Sequence, residues 1–300
     1  MTPHAPSRHV PADSLESGPG GDAGVDAVPP REGFARASRW AHSWREPHPA
    51  VALAACVIVG AVLWDLGRSA GVVSTTQTAS VEGMVSTAVS GLFDGSLLGP
   101  LGETMLTFVC GLLASVVIGL PVGLAMGRFR LVDAALGVTV DVLRPIPAVA
   151  LVPVAVVVLG LGLRMQVSLI AFAAVWPIVF NARYGASDVD PLMIDAARLA
   201  GLSRWGIMRR VVFPSSLPAV MTGVRLAAAV AVVLTIVTEI VASGTGLGNE
   251  VNVSQQIGDT DRAFAGVLLA ALLGTIVNSL MRLLEKWVIG WHHAQQAASR

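Results

Sequence analysis

Residues 101–126 read LGETMLTFVCGLLASVVIGLPVGLAM, an apolar run whose only charged residue is Glu103, close to its start. An α-helix needs about 20 apolar residues to cross the hydrocarbon core of a bilayer, and this run is long enough. Lipid cannot satisfy the open edges of strands, so a chain that crosses in such runs must cross as helices. The stretch therefore predicts a transmembrane helix and an all-α membrane fold.

Five further apolar runs accompany this one, and together they predict a polytopic protein with about six transmembrane helices. The third run in chain order is interrupted by Arg144-Pro145-Ile146-Pro147, where two prolines break the helical hydrogen-bond ladder. The five runs are 50–66, 134–161, 167–184, 217–242 and 263–289.

The composition supports a membrane protein and excludes several other classes. The mean hydropathy is +0.69 and 13% of the residues are charged, against roughly a quarter in soluble chains. The formal net charge of zero provides no basic field for nucleic acid. Lys286 is the only lysine, so no P-loop for a nucleotide can form. Cys56 and Cys110 lie in apolar runs without ligand spacing, so neither a metal site nor a cofactor is predicted.

The first 46 residues differ in composition from the rest. Residues 1–46 are rich in Pro, Gly, Ser, Asp and Arg and lack hydrophobic periodicity. Such a segment cannot bury enough apolar surface to offset its ordering entropy, so a disordered tail is predicted. Residues 47–300 then form the transmembrane domain.

Arginines are concentrated on the segments that face the cytoplasm if the amino terminus lies inside. Only Arg68, Arg164 and Arg262 fall on the opposite side. Because cytoplasmic loops carry the excess of positive charge, both termini are predicted to be cytoplasmic. Residues 67–100 then lie outside and are expected to form a loop with a short interfacial helix.

The loop between the fourth and fifth runs, residues 185–216, carries the signals of two short helices. Asp188 and Asp190 are both suited to cap the first helix, and Gly201 is suited to end it. Ser203 is suited to cap the second, which Pro214 is expected to stop. The loop is predicted to be a rigid helix-turn-helix element on the cytoplasmic face.

The same loop matches a family motif in its spacing. Asp195-Ala196-Ala197, three residues, Gly201, nine residues and Val211-Val212-Phe213-Pro214 follow the pattern E-A-A, x3, G, x9, I-x-L-P. Asp replaces Glu, Val replaces Ile and Phe replaces Leu, each with charge or apolar character retained. The chain therefore resembles, over about residues 95–290, the permease subunits of ABC-type importers.

Further segments are similar to the nitrate, sulfonate and taurine group of these permeases. They are residues 104–127, 143–147, 189–191, 217–219 with 223–225, and Glu239 followed by Gly246-Leu247-Gly248. The resemblance implies import of a small anion of that kind across the bacterial inner membrane. A pyrimidine precursor of thiamine or another small organic solute is the alternative.

The resemblance implies that the protein works in an assembly of several chains. Two copies of the permease would enclose the solute path, an extracytoplasmic binding protein would deliver the solute, and separate ATPase subunits would hydrolyse ATP. The chain itself is then a transport subunit and not an enzyme. The loop residues expected to couple it to the ATPase are Asp195, Ala196, Ala197, Gly201, Arg204 and Pro214.

Polar residues and prolines within the apolar runs are candidates for the solute pathway, because a buried charge costs roughly 2.5–3.5 kcal/mol on insertion scales. Glu239 is interpreted either as part of the path or gate, or as a hydrogen-bond partner of a neighbouring helix. Residues 141–147 form either a pathway wall or a simple kink. The candidates are Asp141, Arg144, Pro145, Pro147, Thr238 and Glu239.

Other intramembrane residues are expected to have structural roles. Asp141 and Arg144 are spaced to pair on one helical face. Arg225 is interpreted as reaching towards water at the inner surface, with attraction of an anion as the alternative. Hydrogen bonds between helices are expected from Asn181, Thr235, Thr238 and Asn278, and close helix packing from Gly111, Gly119 and Gly123.

Two other classes of protein compete with the importer permease. A secondary transporter acting alone often contains internal repeats, and no convincing repeat is present. An intramembrane enzyme needs a nucleophile with a base, a set of metal ligands or paired carboxylates. Asp141 with Glu239 is the only carboxylate pairing that the sequence offers for such chemistry.

Overall fold

The computed structural model describes residues 49–72, 78–242 and 244–298, and the predicted tail at 1–46 lies outside them. The described residues are helical throughout, with short connections. The helices are α1 Pro49–Ser69, α2 Val81–Phe93, α3 Leu98–Arg128, α4 Arg130–Leu143, a 3-10 turn Ala148–Leu151, α5 Val152–Leu159, α6 Leu163–Ser187, α7 Pro191–Leu199, α8 Arg204–Ile207, a π turn Met208–Val212, α9 Phe213–Ala242, α10 Leu247–Ile257 and α11 Thr260–Ala298.

Within the described residues, four helical segments are long and apolar enough to cross a membrane. They are α3, α6, the stretch Arg204–Val241 and α11 up to Val288. Helix α4 and the segment Ala148–Leu159 form a fifth candidate span, bent by 80°. The all-α membrane fold is confirmed, and the predicted six spans are approximate. The first predicted span lies in α1, whose side chains before Ile58 are outside the described residues.

Helix α6 lies at the centre of the bundle, between α3 and α9. Ala174, Ile178 and Ala182 along α6 are fully buried. A Cβ atom at Gly123 of α3 would lie 2.5 Å from the carbonyl oxygen of Val179 in α6. This confirms the close helix packing predicted for the glycines of α3. Small residues permit such approach, which matters in lipid because packing contacts hold the helices together there.

The third predicted span is broken where the prolines indicate. Helix α4 ends at Leu143, and the 3-10 turn that starts α5 begins just after Pro147. The predicted pair of Asp141 with Arg144 is not formed. The Arg144 guanidinium lies instead over the ring of Phe180 in α6, 4.3 Å from its centroid. A cation over an aromatic face is attractive, so Arg144 contacts the neighbouring helix α6 instead of pairing with Asp141.

The expected end of a helix at Pro214 is wrong. The chain stays helical from Arg204 into α9 and accommodates the proline with the π turn before it. In this turn the amide of Phe213 donates to the carbonyl of Met208, five residues back. Proline has no amide hydrogen and its ring crowds the carbonyl four residues earlier, and the wider turn provides the needed room.

Candidate coupling loop and intramembrane polar clusters

Helix α7 has the two caps that its sequence predicts. The amide of Leu192 donates to Oδ1 of Asp190 at 2.8 Å, which satisfies one of the free amides at the helix start. Gly201 follows the helix with φ of +78°, a conformation that only glycine adopts without strain. The amide of Leu202 donates to the carbonyl of Ala197 at 3.1 Å, and this bond completes a Schellman cap.

Helix α8 continues from that cap into the long helix. Ser203 caps it as predicted, with its Oγ accepting from the amide of Gly206 at 3.1 Å. Ile194 and Ile207 pack with the buried Ala186 and Val212, which belong to α6 and the π turn. The helix-turn-helix element at 190–207 is therefore packed against the end of α6 and against the π turn that leads into α9.

The outward side of this element is apolar and unpaired in the single chain. Leu192 is 76%, Leu199 91% and Trp205 74% exposed. Large apolar side chains grouped in this way mark an interaction surface. We call these three residues with Ala196 the outer loop face.

The residues of the family motif differ in their exposure to solvent. Ala196 is exposed, whereas Ala197 is buried against the body of the protein. Both alanines are predicted to contact the ATPase, and in the structure only Ala196 has a side chain that is exposed for such a contact. Asp195 forms an ion pair with Arg198 at 2.8 Å, with both side chains more than half exposed. An exposed pair of this kind contributes about 1 kcal/mol at most.

At the other end of the long helix, Glu239 is buried and joins three helices. Its Oε2 accepts from Thr104 Oγ1 of α3 at 3.0 Å and from the amide of Gly248 in α10 at 2.9 Å. The hydroxyl of Thr104 accepts in turn from the amide of Leu247 at 2.9 Å. Glu103 accepts from the amide of Gly246 at 3.0 Å. Three successive amides at the start of α10 are thus bound by side chains of α3 and α9.

We call this arrangement the α10 cap. It places two carboxylates at the start of α10. Free amides and the helix dipole favour carboxylates there. Gly246 has φ of +98°, and a Cβ atom on it would collide with the Glu239 carboxyl. No role is predicted from the sequence for Glu103 or for the three amides. The segment 246–248, which resembles the family, is the sequence signal that points to the cap.

The remaining polar residues of the bundle bond mostly within their own helices. Thr238 donates to the carbonyl of Thr235, Thr235 to that of Ala231 and Asn181 to that of Pro177. The expected bonds between helices are therefore not formed by these three. Arg225 does join two helices, through an ion pair with Glu285 of α11 at 3.0 Å.

The structure does not bring the predicted pathway residues together. Glu239 belongs to the α10 cap, whereas Asp141 and Arg144 are exposed on another helix. Asp141 and Glu239 therefore do not form the carboxylate pair that was one of the options for an intramembrane enzyme. Beyond the break after Pro147, a cavity of about 460 Å³ opens on the bundle surface. Its walls are almost wholly apolar: Ala148, Val149, Ala173, Ala229, Val230, Val233 and Leu234.

Comparison with known proteins assigns the family. Residues 115–290 match the family described as binding-protein-dependent transport system inner membrane component. The chain belongs to this family. It is 27% identical over 234 residues to the putative aliphatic sulfonates transport permease protein SsuC of Bacillus subtilis (strain 168), with 78% of this chain and 85% of the relative covered. It is 30% identical over 202 residues to the taurine transport system permease protein TauC of Escherichia coli (strain K12), covering 67% and 74%.

A solved structure agrees with the fold. The MetNI methionine ABC transporter in an inward-facing conformation matches with a TM-score of 0.56 and 21% identity, over 64% of this chain and 95% of the matched one. The family and the relatives confirm that the chain is an ABC importer permease, and the two relatives are named for the transport of aliphatic sulfonates and of taurine. The chain is a multi-pass inner-membrane transport subunit, and its partners are the binding protein and ATPase of such a transporter.

Proposed function

We propose that this chain imports a small sulfonate, taurine-like or nitrate-like anion by alternating access, driven by an ATPase subunit that binds the outer loop face. The observation that carries the proposal is the doubly capped element at 190–207. It exposes large apolar side chains on one side and packs against α6 and the π turn on the other. To transmit the movement of the ATPase, a surface must bind the ATPase and must not deform under the movement.

The residues of the loop then divide between contact and support. Asp195, Ala196 and Arg204 are exposed and would touch the ATPase. Gly201 supports the contact by permitting the sharp turn between α7 and α8. Ala197 anchors α7 to the bundle, and Pro214, next to the π turn, lies where the loop continues into α9.

The solute class is supported by the relatives, whose names refer to aliphatic sulfonates and taurine. The chain offers little of its own for anion recognition within the bundle. Arg225, the candidate for attracting an anion, is already neutralised by Glu285. We therefore assign selection of the solute to the binding protein. Uptake of labelled taurine in a deletion strain carrying this chain, with an alkanesulfonate and nitrate as competitors, tests the solute.

The pathway is proposed to lie between two copies of the chain. Exposed valines continue from the apolar cavity along α5 and α9, including Val157 at 85% and Val233 at 65%. The broken span at 141–147 borders this region, so Asp141, Arg144, Pro145 and Pro147 would lie near the path or its hinge. Thr238 and Glu239 would act behind it, because both are buried in the single chain.

The decisive experiment places a charge on the outer loop face. Leu199→Asp is expected to abolish ATPase copurification and solute uptake, because a carboxylate at the centre of an apolar contact would be desolvated without a partner. Leu131→Asp is the matched control, since Leu131 is 86% exposed at the start of α4, outside the loop. Unchanged ATPase binding by Leu199→Asp, with both variants folded, would contradict the proposal. Uptake that persists without any ATPase would favour the secondary transporter.

A further inference from the structure

A basic cavity lies between the end of α3 and the coupling loop, and the proposed function leaves it unexplained. Its volume is about 470 Å³. Arg128, the last residue of α3, lines it together with Arg198 of α7 and Arg204 of α8. Its remaining wall is apolar and consists of Phe129, Leu202 and Ile207. We call it the arginine cavity.

The charges of the arginine cavity are largely uncompensated. Arg198 is paired with Asp195. Among the described residues, no carboxylate forms an ion pair with Arg128 or Arg204. Two guanidinium groups that line one cavity, and that have no ion-pair partner in the described part of the chain, create a positive potential there, and a guanidinium binds phosphate or carboxylate through paired hydrogen bonds. The cavity is therefore suited to an anionic group.

The position of the cavity favours a lipid as the source of that group. Arg128 ends a span whose preceding residues are apolar, so it lies where the chain leaves the hydrocarbon core. Phospholipid phosphates lie at this depth. The apolar wall would suit the glycerol and the first methylene groups of a lipid, whereas a free phosphate ion would leave it unused.

The ATPase is the less suitable occupant. Leu192, Leu199 and Trp205 form the exposed side of the loop, and none of them lines the cavity. Leu202 and Ile207, which do line it, belong to the cluster that packs against the bundle. The cavity thus opens beside the outer loop face and not on it.

We propose that the arginine cavity binds the phosphate headgroup of an anionic phospholipid of the inner leaflet, held by Arg128 and Arg204 with Arg198 beside them. The lipid bridges the end of α3 and the coupling loop, so it adds a contact between a span and the element that binds the ATPase. This site is independent of the solute, and Arg204 is the residue that it shares with the proposed ATPase contact, whereas Arg128 lies outside that contact.

The test counts lipid bound to the purified full-length chain by native mass spectrometry during titration with dioleoylphosphatidylglycerol. One site is expected to weaken about fivefold in Arg128→Gln and again in Arg204→Gln, because each basic residue near a membrane surface contributes about that factor. Arg130→Gln removes the same charge two residues away without lining the cavity, and is expected to leave the site unchanged. Arg128→Lys should retain part of the affinity.

The other outcomes overturn the proposal. Equal losses in Arg128→Gln and Arg130→Gln would show general surface charge instead of a site. Full displacement of the lipid by millimolar inorganic phosphate would identify free phosphate as the ligand. Unchanged lipid binding in both cavity variants, with weakened ATPase copurification, would assign the cavity to the partner protein. Circular dichroism of each variant separates these results from misfolding.

Discussion

At the scale of single residues, Glu239 shows how a buried charge is used in this protein. A carboxyl within a membrane span is usually read as a pathway residue. Here Oε2 of Glu239 accepts hydrogen bonds from the hydroxyl of Thr104 in α3 and from the backbone amide of Gly248 in α10. Glu239 therefore connects three helices through its Oε2 atom.

Thr104 is predicted to be the most sensitive residue of the α10 cap, because it both donates to Glu239 and accepts from Leu247. Thr104→Val keeps the shape but leaves the buried amide of Leu247 without a partner, which costs about 1–3 kcal/mol, and it removes one of the two donors to Glu239 Oε2. Thr238→Val is the control, since the hydroxyl of Thr238 bonds only to its own helix. The midpoint of thermal unfolding in detergent is expected to fall clearly for Thr104→Val alone. Equal midpoints would disprove this role of Thr104.

Asp195 is predicted to matter for coupling and hardly for stability. Asp195→Ala removes an exposed ion pair with Arg198, whose loss costs less than about 1 kcal/mol. The thermal midpoint should stay unchanged while ATPase copurification and uptake fall. A large loss of stability would instead show that the pair is structural.

At the scale of elements, the bundle depends on the contact between α3 and α6. Glycines of α3 bring its backbone against carbonyl oxygens of α6, as at Gly123 and Val179. The repeat of small residues made this contact predictable, although the partner helix was not. The helix caps of the coupling loop were also predictable, because each depends on a few neighbouring residues. They are Asp190, Gly201 and Ser203.

Gly123→Ala is predicted to destabilise the bundle by about 1–3 kcal/mol, because overpacking forces two backbones apart. The matched control is Gly137→Ala in α4, where an added Cβ atom meets nothing within 4 Å. That control should be neutral or slightly stabilising, since alanine favours a helix over glycine. Equal stability of the two variants in chemical unfolding would disprove the packing role.

At the scale of the whole molecule, hydropathy made most of the spans predictable and left their mutual contacts open. The break at 144–147 followed from proline chemistry alone. The continuation of the helix through Pro214 did not, because a π turn has no recognisable sequence pattern. The α10 cap joins Glu103 to Gly246, 143 positions apart, and such contacts depend on packing that one sequence does not reveal.

Orientation is a prediction for the whole chain. A single cysteine at Ala200 should react with a membrane-impermeant maleimide only in inverted vesicles, and one at Val253 only in intact cells. Both positions are exposed, which makes them suitable for labelling. They lie in α10 and just after α7, outside the candidate spans. Labelling with the reverse sidedness would contradict the cytoplasmic placement of both termini.

The helical stretch Arg204–Val241 has a mechanical implication. Its 38 residues extend over about 57 Å at 1.5 Å per residue, so one helical segment, with the π turn near its start, reaches from beside Trp205 to Glu239. Rotating such a segment by about 10° around its loop end sweeps the far end through about 10 Å. A small displacement at the loop end would thus become a displacement of several ångströms at the other end, where Glu239 joins the segment to α10.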